Sequence, residues 1–422
     1  MKKLIFYSVL ALLAFACNPK ITTEYFTASD VIVVSEPETV PRGQRIYKKE
    51  NACCRDKDSY IPDTMHLEFM RKKRIRVNFH FMNSRDSTQN FSQEAGRKYV
   101  KEMLGHARTL YENNKRMYLH PPGKETPVLP TMYEYMLTPK GDDPNDDGIY
   151  FHYDDDLYYV IKKGKNRNLR SKAASKKYGI GLDSIENVFF MPHHPDSLKS
   201  KTYQPRRLGI ALGNMVKITG AYCRKVSSWQ MGMMINHEIG HNFGLSHEWI
   251  KNDGCDDTPP NPKCYNKNDG LECDSLASNN FMGYNLYEDA WTPQQIGKIH
   301  GNISRKKGRG RKFIIPDWCK LDETLSIDIK EDIVWSGEVD LYGHLTIEEG
   351  SSLEIKCRVS LPKGAKIIVE PGAKLILNNA WLHNDCGEEW QGIEVQELAK
   401  IVGEVVMMGT AKVENAANWA LD

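Results

Sequence analysis

The stretch that leaves this chain least freedom is HEIGHNFGLSH, residues 237–247. Residues four apart share one face of a helix, so His237 and His241 can aim their imidazoles at one point only if this segment is helical. Glu238 then stands one residue round from His237, beside the same cleft. Gly244 permits a left-handed turn that ends the helix and returns His247 as a third nitrogen. Three nitrogens leave the fourth position of a tetrahedral Zn2+ open to water, as in a catalytic rather than a closed structural site. On this reading His237, His241 and His247 hold the metal, and Glu238 acts on the water without being a ligand. Histidines that merely decorate an amphipathic helix would not need the glutamate, the glycine and the third histidine as well.

The flanking pattern supplies an α/β frame. IRVNFHFMN, residues 75–83, alternates apolar and polar positions like a half-buried strand. From Ser92 onward Ala95, Tyr99, Met103, Ala107 and Leu110 recur at helical spacing. A strand leading into a long helix opens an α/β unit. Residues 209–222 read as strand and hairpin leading into SSWQMGMMINHEIGHNFG, where Ser227 or Ser228 caps the helix. Thr292 and Pro293 begin another helix, which should close the domain near residue 305. Between the two, NNFMGYN places Met282 and Tyr284 in a polar turn 35 residues after His247.

The extended histidine pattern followed by a methionine turn resembles the metzincin zinc peptidases. CDDTPPNPKC and NNFMGY look like their pappalysin and cytophagalysin branch, over roughly residues 75–305. The resemblance implies a metzincin-like catalytic domain, a twisted sheet with active-site and C-terminal helices, that hydrolyses peptide bonds of proteins. It implies zinc ligands at His237, His241 and His247, a general base at Glu238, a floor beneath the metal at Met282, and an oxyanion-stabilising tyrosine at Tyr284. Relatives that select basic side chains carry an acid soon after that tyrosine. Here Tyr287 stands in its place, so an arginine preference is not carried over.

The chain opens MKKLIFYSVLALLAFAC, two lysines and then a 13-residue apolar run from Leu4 to Ala16. That is an export signal, too short to span a bilayer, where about 18 apolar residues are needed. Cys17 resembles a bacterial lipoprotein cysteine, while Ala14-Phe15-Ala16 also fits ordinary cleavage. The expected location is secreted or on the outer membrane or cell surface of a Gram-negative bacterium, with no transmembrane segment. Ten cysteines in an exported chain predict disulfides. Cys255, Cys264 and Cys273 are read as cleft-shaping disulfide partners in preference to a second zinc site. Cys53 and Cys54 lie in a polar pro-segment, where a thiolate could cap the metal or pair elsewhere. A cut near Arg71–Arg74 would then be the activating event. His80, His193 and His194 have no partner at ligand spacing and are read as structural.

Asp143, Asn145, Asp147 and Asp154 have the spacing of a Ca2+ loop, and Asp256, Asp257 and Thr258 form a second candidate by resemblance. A net charge of +2 predicts no nucleic-acid partner. The basic clusters at 71–76 and 305–312 read as solvated linkers or processing sites. After Pro316, the units EEGSSLEI, PKGAKIIV and PGAKLIL predict an all-β region in which each turn covers the next, a β-solenoid, with a β-sandwich as the alternative. Its end shows no capping unit, as expected of a shortened chain. The boundaries are a signal peptide at 1–17, tether and pro-segment at 18–74, peptidase domain at 75–305, basic linker at 306–325 and β-solenoid-like domain at 326–422. The rival function is a surface adhesion or glycan- or matrix-binding protein, whose β-solenoid has a ligand the sequence does not name.

Overall fold

The structure is a computed structural model and describes residues 20–31, 33–34, 52–86, 90–141, 143–203, 205, 207–222, 226–266, 270 and 273–419. The export signal and Cys17 lie outside these residues. The N-terminal half is built on strand Lys73–Asn83, at the centre of a six-stranded sheet. Tyr133–Leu137 pairs with its first half, Ile149–Tyr153 with its second, and Glu186–Phe190, Met215–Thr219 and Leu208–Ala211 follow on the other side. All pairings are parallel except that of the edge strand Leu208–Ala211. The expected half-buried strand is instead buried on both faces, as central parallel strands are. Among its buried polar side chains, the His80 ring bonds Asn78 and Asn187 through Nε2, each at 3.0 Å.

Helix Gln93–Glu112 is capped by Ser92 and buries Gly96, Val100, Met103, Ala107 and Leu110. Ala95, expected on that stripe, faces solvent. The helix lies against Ser228–Asn242 so closely that a Cβ at Gly232 would stand 2.9 Å from the Ala107 nitrogen. Buried Asn236 locks the contact, donating to Ala107 O and accepting from Tyr135 Oη.

In the C-terminal half the chain makes four passes through three parallel sheets. Ser326–Ile329, His344–Ile347, Lys366–Val369 and Gly392–Leu398 form one ladder. The second runs through Ile333–Trp335, Ser352–Ile355, Lys374–Asn378 and Glu404–Met408, the third through Val339–Asp340, Arg358–Ser360, Trp381–His383 and Lys412–Val413. Aligned apolar residues such as Leu345, Ile367 and Ile393 fill the interior. Gly350, Gly364 and Gly372, at positive φ, turn the chain before three of these strands. The last pass does not leave all its edges bare. Thr22–Phe26 pairs antiparallel with Gly392–Leu398, and Val33–Val34 parallel with Glu404–Met408.

The segment read as tether and pro-segment is therefore built into the fold. Cys54 is bonded to Cys357. Tyr60 donates to Cys54 O and accepts from Glu338 N, and its ring lies against Gly301 and Gly337. Both basic clusters, read as solvated, are ion-paired across the junction between the halves. Asp340 is fully buried and takes Lys73 at 2.9 Å, Arg311 at 2.9 Å and Arg358 at 2.8 Å. Arg71 faces Asp322, Lys72 faces Glu112 and Arg74 faces Asp317, so the proposed cut at Arg71–Arg74 falls in structured, engaged chain. The stretch read as a linker buries Phe313 and Trp318 and is tied down by Cys319–Cys386.

Burial alone would raise the Asp340 pKa, but the charges of Lys73, Arg358 and Arg311 overrule it and hold the carboxyl well below the usual range. Its contribution to stability is present above the ordinary carboxylate pKa and lost only as pH falls through the depressed one. Asp340→Asn leaves three buried cations short of a charge and should cost about 3–5 kcal/mol in denaturant melts near neutral pH. An unchanged midpoint would show that the junction does not depend on this carboxylate.

Candidate functional site

Ser227, the first of the two candidate caps, closes a capping box with Gln230 at the start of the histidine helix. Gly244 ends it at φ +92°, and Leu245 N returns to Gly240 O at 3.0 Å. Gly240 is needed for a second reason. A Cβ there would lie 2.9 Å from the sulfur of Met282, which is buried beneath the helix. The turn carrying Met282 is held by Asn280 Oδ1, which accepts from Met282 N at 2.8 Å, and by Glu248 N, which donates to Met282 O.

These constraints bring the three histidines together. His237 Nδ1 lies 2.6 Å from Phe281 O and His241 Nδ1 2.9 Å from Leu245 O. A carbonyl only accepts, so both protons sit on Nδ1 and both Nε2 atoms carry lone pairs. The two Nε2 atoms are 3.1 Å apart, and His241 Nε2 is also 3.1 Å from His247 Nε2. Facing lone pairs repel, and no hydrogen bond can form between His237 and His241. A cation among them removes the repulsion: zinc bonded to tetrahedral nitrogens at about 2.0–2.1 Å sets those nitrogens about 3.4 Å apart, close to the spacing present. Burial lowers the pKa of all three rings, His247 to about 4, so they are neutral, the form that binds metal.

Glu238 is buried beside this cluster. Burial pushes its carboxyl up to about 8, against a hydrogen bond from the Ala211 backbone. It lies under the edge strand Leu208–Ala211, where only the missing side chain of Gly209 leaves room: a Cβ there would stand 2.0 Å from Glu238 Oε1. Glu288 is buried nearby, also raised to about 8 by burial, and faces Arg207 at 3.6 Å. Tyr284 is half exposed, its ring 5.0 Å from His247 and 4.4 Å from Trp249, which stacks on His247 at 4.1 Å. Gly209, Arg207, Glu288 and Trp249 were not anticipated. Trp249, two residues after the third histidine, had the only local signal.

The calcium candidates do other work. Asp143 accepts from Asn145 N within a turn, Asp147 pairs with Arg97, and Asp154 takes Lys177 and Tyr178, each at 2.7 Å. Asp256 faces Lys57, Asp257 accepts from Thr292 and Gln294 N at the start of the closing helix, and Thr258 donates to Asp253. Among the described residues, His237, His241 and His247 form the only convergent group of three or more such side chains. Cys264 is paired with Cys273, and Cys255 is a buried free thiol. Cys54 has no thiol to offer a metal because it is bonded to Cys357 at the domain junction. The side chain of Cys53 lies outside the described residues.

Residues 205–304, which contain every element of this site, match the peptidase family described as pregnancy-associated plasma protein-A. Over that stretch the chain is similar to the pappalysin metallopeptidases. The match indicates a zinc metalloprotease and implies a protein or peptide substrate. Two solved structures are similar: mirolysin in complex with compound 9, at 18% identity and TM-score 0.40 over 58% of this chain and 97% of that one; and mature mirolysin of Tannerella forsythia with a cleaved peptide, at 16% and 0.37 over 57% and 95%. No curated protein matches the sequence. Among the described residues, no helix is long and apolar enough to cross a membrane.

Gly209 has ordinary backbone angles, so Gly209→Ala should disturb little except the Glu238 carboxylate. Turnover should fall about a hundredfold with zinc content and KM nearly unchanged, and Glu238→Asp, shorter by one methylene, should recover part of the loss in the same chain. Full turnover in Gly209→Ala would show that Glu238 works elsewhere.

Proposed function

We propose that this protein is an exported endopeptidase of the pappalysin type that cuts proteins by water attack, with no covalent intermediate. The observation that carries the reading is the convergence of three neutral imidazole Nε2 atoms beside a buried carboxylate. His237, His241 and His247 would hold zinc, with Met282 packed beneath. When bound, the metal makes a water acidic near neutral pH and polarises the scissile carbonyl. Glu238, whose carboxyl is already raised by burial, takes a proton from the attacking water and returns it to the leaving amine. Tyr284, half exposed at the rim, donates to the oxyanion. Gly209 and Ala211 keep Glu238 turned toward the cleft.

We read the three stacked ladders of the C-terminal half as a β-solenoid whose third sheet faces the peptidase half through Asp340 and Arg358. That attachment favours a scaffold for the peptidase over the adhesion reading. Export to a Gram-negative surface or medium is supported by the leader and by three disulfides, the bonding of an oxidising compartment. Lipid attachment at Cys17 belongs to the same reading.

Glu238→Gln should keep a full equivalent of zinc and the wild-type melting curve while losing at least about a hundredfold in turnover of an unfolded protein substrate. Near-normal turnover would rule out the role given to Glu238. Loss of zinc along with activity would make it a ligand.

A further inference from the structure

The peptidase half carries one concentration of charge that the site does not use. Between Lys162 and Lys177 the chain has six lysines, two arginines, no acid and no aromatic residue, in a protein of net charge +2. All eight cations are exposed. Among the described residues only Lys177 of the eight forms a salt bridge, to Asp154.

The lobe is a held structure. Asn168 Oδ1 accepts from Ile161 N at 2.7 Å, and its Nδ2 donates to Tyr159 O at 2.9 Å. From beneath, Lys217 donates to Asn168 O at 3.0 Å. Leu169 packs against the cluster containing Met82, Phe189 and Met215. A cavity of about 450 Å3 under the loop is lined by Asn166, Asn168, Ser171 and Lys217 but by none of the eight cations, which point outward. Val216 and Ile218, flanking Lys217 on its strand, join the core that also holds Ile235 and Ile239 of the histidine helix. The lobe therefore lies on the opposite face of the sheet from that helix.

We propose that this lobe docks the protein on an anionic lipid surface, with the zinc cleft turned away from it. Exposed cations on a turn suit a plane of charge better than a strand-shaped polyanion. The absence of aromatic residues removes the stacking platform single-stranded nucleic acid would use. Each lysine or arginine close to an anionic leaflet adds a similar increment of affinity, which salt screens within about 10 Å. The sequence expectation of a lipoprotein cysteine points to the same kind of surface.

The test is co-sedimentation of the full chain with vesicles of equal parts phosphatidylglycerol and phosphatidylcholine. The comparison is a variant carrying Lys162→Glu, Lys163→Glu, Lys165→Glu and Arg167→Glu. Wild type should bind these vesicles in low salt, ignore pure phosphatidylcholine, and release when salt is raised. The variant should bind at least about tenfold more weakly while cutting a soluble substrate at the wild-type rate, which confirms its fold. Both proteins have the same N-terminus, so the difference belongs to the lobe. Equal binding by the two proteins, no binding by wild type, or tighter wild-type binding to duplex DNA than to the vesicles would each overturn the proposal.

Discussion

Two carbonyl oxygens, of Phe281 and Leu245, govern the site. By accepting hydrogen bonds from Nδ1–H of His237 and His241, they leave two Nε2 lone pairs facing each other at 3.1 Å. That arrangement is unfavourable without a cation, and the surrounding structure maintains it. Gly244 turns the chain so that Leu245 can reach back. Asn280 holds the turn that presents Phe281 and seats Met282 under Gly240. Helix, turn and floor are consequences of one demand, that three nitrogens meet at a point. A second demand is set beside it: a carboxylate kept dry under an edge strand, possible because Gly209 has no side chain.

The peptidase half does not stand alone. Asp340 joins Lys73 of the central strand, Arg311 of the intervening stretch and Arg358 of the C-terminal sheets. The N-terminal segment crosses the same junction through Cys54–Cys357 and covers edges of the last pass with two strands. The N-terminal, central and C-terminal parts of the chain thus share one buried seam. A buried ion cluster need not add net stability over apolar packing, but it penalises every arrangement that separates its members.

What the sequence made legible was what local spacing encodes. The helix through His237 and His241, its stop at Gly244, the caps at Ser227 and Thr292 and the turn at Met282 each depend on residues a few places apart. The seam was illegible because Lys73 and Asp340 are 267 residues apart, and a basic run looks the same in solvent as against a distant acid. Asp143–Asp154 was misleading for a related reason: acids at alternate positions also make the turns and salt bridges seen here. Gly209 gave no sign, since a strand glycine does not announce which side chain needs its space. The charge between Lys162 and Lys177 was in plain view and went unread, because the whole-chain balance is near neutral.

The central claim is that the three Nε2 atoms meet to hold one metal ion. Anomalous scattering at the zinc absorption edge, from crystals of zinc-loaded protein, tests it most directly. The account predicts a single strong peak bonded to Nε2 of His237, His241 and His247 at about 2.0–2.1 Å, with no protein atom in the fourth position. A peak bonded to cysteine sulfur, or a protein carboxylate completing the tetrahedron, would contradict it.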